Sequence, residues 1–131
     1  NDRMAIVKEG GLDALVEANM QRWFSPVFHQ QRKSELAGYS NMFTRTPKGG
    51  YLGTGAAIRD ADFRDQAGQI AVPTICVVGE QDGATPPALV KATADLIPGA
   101  GFEVIANAGH IPCAEQPAAV SKIIRQLMAQ I

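Results

Sequence analysis

An aspartate and a histidine stand at matching places in two similar stretches of this sequence. Asp82 follows Val78 by four residues, and Val78 closes a β-branched run, residues 72–78. His110 follows Ala106 by four residues, and Ala106 closes a second strand-like run, residues 101–106. Ligands of open α/β sheets sit beyond the carboxyl ends of the strands, so both side chains are expected on one rim. The 28 residues that separate them are enough for one helix and one strand. A carboxylate against one ring nitrogen of an imidazole fixes its tautomer and stabilises the imidazolium. The other nitrogen then serves as general base for a nucleophile. Taken singly, an aspartate in a Gly-rich loop is a turn former and a loop histidine is a surface residue. The matched offset is what favours a working pair.

Other arrangements carry less. Cys113 as a nucleophile would need its own acid and oxyanion donors, and a residue three places after His110 in one loop rarely aligns with it. His110-x-x-Cys113 offers too few ligands for zinc. Gly50-x-x-Gly53-x-Gly55 is not a dinucleotide fingerprint, because no strand precedes it. No metal or cofactor is expected.

The elements that must position the pair read as follows. Met4-Ala5-Ile6-Val7 predicts a helix that Gly10-Gly11 breaks. Leu12, Leu15, Val16, Met20, Trp23 and Phe24 follow the i, i+3, i+4 spacing of an amphipathic helix, which Pro26 ends. A second helix is predicted over residues 30–44, a turn over 46–50, and short helices over 51–58 and 63–67. Residues 72–78 then read as a strand buried on both faces, as in a parallel sheet. Thr85 is the expected N-cap and Pro86 the first helical position of a helix running to residue 96. The second strand follows. The last helix opens at Pro117 and carries Val120, Ile123, Ile124, Leu127, Met128 and Ile131 on one face. The order β-α-β-α gives an α/β fold class with parallel strands.

Composition closes off several functions. Apolar residues make up 46% and charged residues 19% of the 131, which is globular rather than disordered. The net charge of −1 and a longest basic cluster of Arg32-Lys33 argue against nucleic acid as a partner. No apolar run reaches the roughly 18 residues of a membrane span, and no secretory signal follows Asn1. Cys76 and Cys113 do not form a disulfide framework. Cys76, inside an apolar run, reads as a small buried hydrophobe. Two thiols fit a cytoplasmic location.

Val72-Pro73-Thr74-Ile75, Gly79-Glu80-Gln81-Asp82 and Thr85-Pro86-Pro87 together resemble the acid segment of α/β-hydrolases. Asn107-Ala108-Gly109-His110-Ile111-Pro112 with Glu115-Gln116-Pro117 resembles their histidine segment. Asp before His is also the chain order of their Ser…Asp…His triad. Arg22-Trp23-Phe24-Ser25-Pro26-Val27-Phe28 and residues 57–64 resemble the cap of 3-oxoadipate enol-lactonases, enzymes of the β-ketoadipate pathway of aromatic breakdown. The resemblance implies a helical cap or lid over residues 1–68 and the C-terminal part of an α/β-hydrolase core over residues 69–131. It implies hydrolysis of a lactone or ester, with Asp82 and His110 as catalytic residues. The substrate would be an anionic lactone, for whose carboxylate Arg22 is a suitable bidentate partner. Trp23, which also reads as cap packing, would line the pocket. The alternatives are another α/β-hydrolase, a carboxylesterase or a C–C bond hydrolase, and a non-catalytic hydrolase-like binding module.

The family's G-x-S-x-G nucleophile motif is not in this chain. Its serines are Ser25, Ser34, Ser40 and Ser121, and none lies in that pattern. The chain also does not begin with Met. The expectation is therefore a catalytically inactive fragment whose nucleophile lies outside it. A strand apolar on both faces needs neighbours on both sides. The expected partner is the missing N-terminal half or a second copy.

Overall fold

The computed structural model describes residues 2–130. A helical part comes first: α1 (Asp2–Gly10), a 3₁₀ turn (Asp13–Leu15), α2 (Val16–Trp23), α3 (Pro26–Gln31), α4 (Lys33–Thr44), α5 (Lys48–Asp60) and α6 (Arg64–Ala67). The apolar spacing read from Leu12 onward is the one that is buried. Leu12, Leu15, Met20 and Phe24 join Val7, Phe28 and Phe43 in one core cluster. Aromatic rings knit it together: Phe24 stacks on Phe28 at 4.5 Å, Tyr39 lies 4.9 Å from Phe24, and Phe43 meets Trp23 edge-on at 5.5 Å.

The helix expected from Leu12 starts as a 3₁₀ turn and becomes α2 at Val16, and two further starts differ from the sequence expectation. Pro26 does end α2, but it also opens α3, a helix expected to begin only near residue 30. The cause is the N-terminal chemistry of Ser25-Pro26. Proline at the first helical position gives up no bond, since that N–H has no helical partner. The Ser25 hydroxyl accepts the Phe28 N–H at 3.2 Å. Likewise α5 begins at Lys48, inside the expected turn, with Tyr51 N–H on the Pro47 carbonyl. Tyr51 and Leu52 pack on the core cluster, and that packing outweighs the low helix propensity of Gly49 and Gly50.

The second part is β1 (Ile75–Gly79), α7 (Pro87–Ala94), β2 (Gly101–Ile105), α8 (Pro112–Glu115) and α9 (Pro117–Met128). The strands are parallel, registered from Ile75 opposite Gly101 to Gly79 opposite Ile105. β1 starts later than expected, because Pro73 has no N–H for a ladder. Of its five residues only Val78 and Gly79 are buried. The expected burial on both faces is therefore not reached within the described residues, where β1 has one neighbour, β2. Cys76, expected buried, is accordingly half-buried. Thr85 is not the N-cap of α7: Pro86 holds that place without a side-chain bond, and the Thr85 hydroxyl turns to Asp82. α8, a single turn, was not anticipated. Along α9 only Ile123 is buried, while Ile124 and Met128 are exposed. Ile131 lies outside the described residues. No helix is long and apolar enough to cross a membrane among those residues.

Candidate active site

The loops after β1 and β2 run against each other at the carboxyl ends of the strands. Glu80 N–H reaches the Ile105 carbonyl at 2.9 Å and Gln81 N–H the Ala108 carbonyl at 2.8 Å. At Gly79 the approach leaves no room for a side chain, since a Cβ there would lie 2.0 Å from the Gly109 carbonyl oxygen. Asn107 turns the second loop through a left-handed conformation, φ 54°, which asparagine tolerates better than most residues.

This contact delivers the pair read from the sequence. His110 Nδ1 lies 2.9 Å from Asp82 Oδ2. Asp82 is 7% exposed, and every acceptor it has is used. Oδ1 takes the N–H groups of Ala84 and Thr85 at 2.7 and 2.8 Å. Oδ2 takes the Thr85 hydroxyl at 2.8 Å as well as the imidazole. Burial pushes the Asp82 carboxyl up, but the bonds from His110, Thr85 and Ala84 outweigh it and hold the carboxyl below its ordinary range. Asp82 is therefore ionised at neutral pH. An ionised acceptor on Nδ1 selects the tautomer with the proton there. The Thr85 hydroxyl sits 3.2 Å from the same nitrogen.

The helical part closes over the pair. His110 N–H bonds the Trp23 carbonyl at 2.7 Å, and the Trp23 ring lies 6.2 Å from the imidazole, tilted by 31°. A Cβ on Gly109 would stand 2.5 Å from the Trp23 carbonyl oxygen, so this close approach requires glycine. Arg22 reaches the Gly83 carbonyl, though at 3.4 Å the bond is long. Beyond lies a cleft of about 450 Å³ bordered by Arg3, Arg22, Trp23, Ile58, Arg59 and His110. Three of the four residues singled out from the sequence, Arg22, Trp23 and His110, thus border one space, and the fourth, Asp82, is buried behind His110. Arg59 is paired with Asp60 at 2.6 Å and Arg3 bonds Asn19, which leaves Arg22 with the Trp23 indole beside the imidazole, a combination that suits an anionic ligand with an apolar body.

The residues missed by the sequence reading are Glu115 and Thr85. The Glu115 carboxylate is buried and accepts Gly109 N–H at 2.7 Å and Ser25 N–H at 3.0 Å. Its sequence signals are its place in Glu115-Gln116-Pro117, within the histidine-segment resemblance, and a charge set in the otherwise uncharged stretch 104–121. Cys113 is exposed, and among the described residues neither it nor any of the four serines bonds His110. Ser25 is buried as the cap of α3. Among the described residues, no group of three or more His, Cys, Asp or Glu could hold a metal ion.

No family model matches the chain. Two curated relatives do. It is 29% identical over 126 residues to 3-oxoadipate enol-lactonase 2 of Acinetobacter baylyi, covering 96% of this chain and 47% of that protein. It is 31% identical over 117 residues to 3-oxoadipate enol-lactonase 1 of the same organism, covering 89% and 44%. Among solved structures, the enol-lactonase from Burkholderia xenovorans LB400 matches with a TM-score of 0.93 and 30% identity, over 98% of this chain and 49% of that one. A thermophilic esterase from Thermogutta terrifontis matches at 0.89 and 26%, over 97% and 47%. The chain spans about half the length of the curated relatives it matches.

Proposed function

We propose that this chain, which has the fold of half an α/β-hydrolase and is similar to 3-oxoadipate enol-lactonases, supplies the acid and the base of a lactone- or ester-hydrolysing triad. The observation that carries the reading is the Asp82–His110 bond at the carboxyl ends of two parallel strands, at the edge of a cleft bordered by Arg22 and Trp23. Asp82 keeps the proton on Nδ1. His110 Nε2 takes the proton of a serine hydroxyl as that oxygen attacks the lactone carbonyl. The resulting imidazolium gives the proton to the leaving enolate oxygen. The same nitrogen then activates the water that releases the acyl group. The nucleophile and the oxyanion donors lie outside these 131 residues. They belong to an N-terminal half that also covers β1, and residues 1–68 and 69–131 are the cap and the core part of the assembled enzyme.

The substrate is the 3-oxoadipate enol-lactone, for which the names of the similar enzymes speak. Its free carboxylate pairs with Arg22 while Trp23 lines the wall beside His110. The free thiols of Cys76 and Cys113 accord with a cytoplasmic enzyme. The similarity to an esterase favours one second reading, a carboxylesterase with the same triad.

The experiment starts from the gene. An upstream G-x-S-x-G in the same reading frame is expected, and its polypeptide should hydrolyse the enol-lactone faster than simple aryl esters. The reverse preference selects the esterase. Turnover by the 131-residue chain alone would place the nucleophile within it and end this reading.

A further inference from the structure

Glu115 places a second buried carboxyl group beside the histidine loop, one that the Asp82–His110 bond does not use. Its side chain is 8% exposed, and it makes no ion pair among the described residues. A buried carboxylate is costly unless its lone pairs are taken up. Here both oxygens are used, and by donors from two different parts of the chain. Oε1 accepts Gly109 N–H at 2.7 Å, from the residue before His110. Oε2 accepts Ser25 N–H at 3.0 Å, from the corner between α2 and α3.

The same corner grips the next peptide, because His110 N–H bonds the Trp23 carbonyl at 2.7 Å. Successive N–H groups of the histidine loop are thus held by Glu115 and by Trp23, and Glu115 holds the corner that carries Trp23. Arg32, at the start of α4, adds a bond to the Ala114 carbonyl at 2.9 Å. Only a carboxylate suits the place. Two N–H donors converge on it, whereas a glutamine offers one oxygen and turns an NH₂ group toward the other donor.

We propose that Glu115 is a positioning residue that ties the Gly109–His110 peptide to the α2–α3 corner and so holds the imidazole on Asp82. The inference rests on the reading of Asp82 and His110 as a working pair. Without Glu115 the Gly109–His110 segment keeps the Trp23 carbonyl but loses its second tie to the α2–α3 corner. The imidazole is then free to leave Asp82 Oδ2 for the neighbouring Thr85 hydroxyl, 3.2 Å from Nδ1.

The test is which ring nitrogen of His110 carries the proton, read from two-bond ¹H–¹⁵N correlations on the ¹⁵N-labelled 131-residue chain. The native chain should show the Nδ1–H tautomer, and Asp82→Asn should lose it. Glu115→Gln, which keeps the volume, should shift His110 toward a mixture of tautomers. Ser25→Pro is a second route that leaves Glu115 in place. Ser25 has φ −64° and ψ 155°, which proline adopts, but proline has no N–H for Glu115. It should shift His110 as well, whereas Ser25→Ala, which removes only the cap to Phe28, should not. Val7→Ala, in the helical core, should lower the melting temperature without moving the tautomer. The proposal is overturned if Glu115→Gln and Ser25→Pro keep the native tautomer, or if Val7→Ala shifts it equally. If Asp82→Asn leaves the tautomer unchanged, the reading of the pair fails instead.

Discussion

The helical part and the sheet part of this chain are built to different standards. In residues 2–67 seven buried apolar side chains form one cluster, flanked by Trp23, Tyr39 and Tyr51. In residues 75–128 the corresponding cluster is Ile105, Ala108 and Ile123, while Val104, Ile124 and Met128 stand exposed. The candidate chemistry lies in the second, sparser part. Its geometry is nevertheless well defined, because the histidine loop bonds the corner of the denser part at Trp23 and, through Glu115, at Ser25. A site can thus take its rigidity from a neighbouring element when its own layer is incomplete.

The largest expected effect concerns the site. In the assembled enzyme, His110→Ala should lower kcat by on the order of 10³-fold or more, since triad members act as a unit. Steady-state kinetics on the enol-lactone checks this. A drop of less than about tenfold would separate the loop from catalysis altogether.

The packing contrast is next in size. Phe28→Ala should destabilise the chain by about 3–5 kcal/mol and Ile123→Ala by about 2 kcal/mol, the low end for a buried aliphatic side chain. Urea unfolding of both variants measures the difference. Equal costs would mean that the sheet part is as well packed as the helical one. If added N-terminal residues raise the Ile123→Ala cost, the sparse core is completed by them.

Smaller again is the cleft. Arg22→Ala should raise KM for the anionic lactone roughly tenfold at nearly constant kcat, the loss of about 1.4 kcal/mol of charge-assisted binding. An unchanged KM would leave Arg22 as a surface charge over Gly83.

The smallest effect is in pH. The Asp82 carboxyl is held below its ordinary range in the folded chain, so it binds its proton more weakly folded than unfolded. The stability it contributes is complete above the unfolded value of about 3.9 and is lost as pH falls through the lower folded value. The melting-temperature gap between the native chain and Asp82→Asn should therefore narrow below about pH 4. A gap that widens on acidification would contradict the assigned direction.

What was legible in the sequence was whatever depends on neighbours along the chain. The strand directions gave the pair, because strand direction and loop length fix which rim a residue reaches; the offsets expected to be equal are three residues from Gly79 to Asp82 and five from Ile105 to His110. The buried face of Leu12 to Phe24 was equally plain from its period. Pro26 was read as a stop and not also as a start, since the hydroxyl of Ser25 makes the difference and its partner, Phe28 N–H, is a matter of local geometry. Thr85 looked like a helix cap until Asp82 competed for its hydroxyl. Glu115 could not have been found at all from spacing. One of its two partners lies 90 residues away, and only the folded chain brings them together.

The central claim is that the acid and base are here and the nucleophile is elsewhere. The most direct measurement is labelling of the polypeptide encoded by the intact gene with a fluorophosphonate probe, followed by mass spectrometry of the modified peptide. One modified serine outside these 131 residues is expected, with loss of labelling in Asp82→Asn and His110→Ala. A label on Ser25, Ser34, Ser40 or Ser121, labelling that survives His110→Ala, or no labelling of the native polypeptide would contradict it.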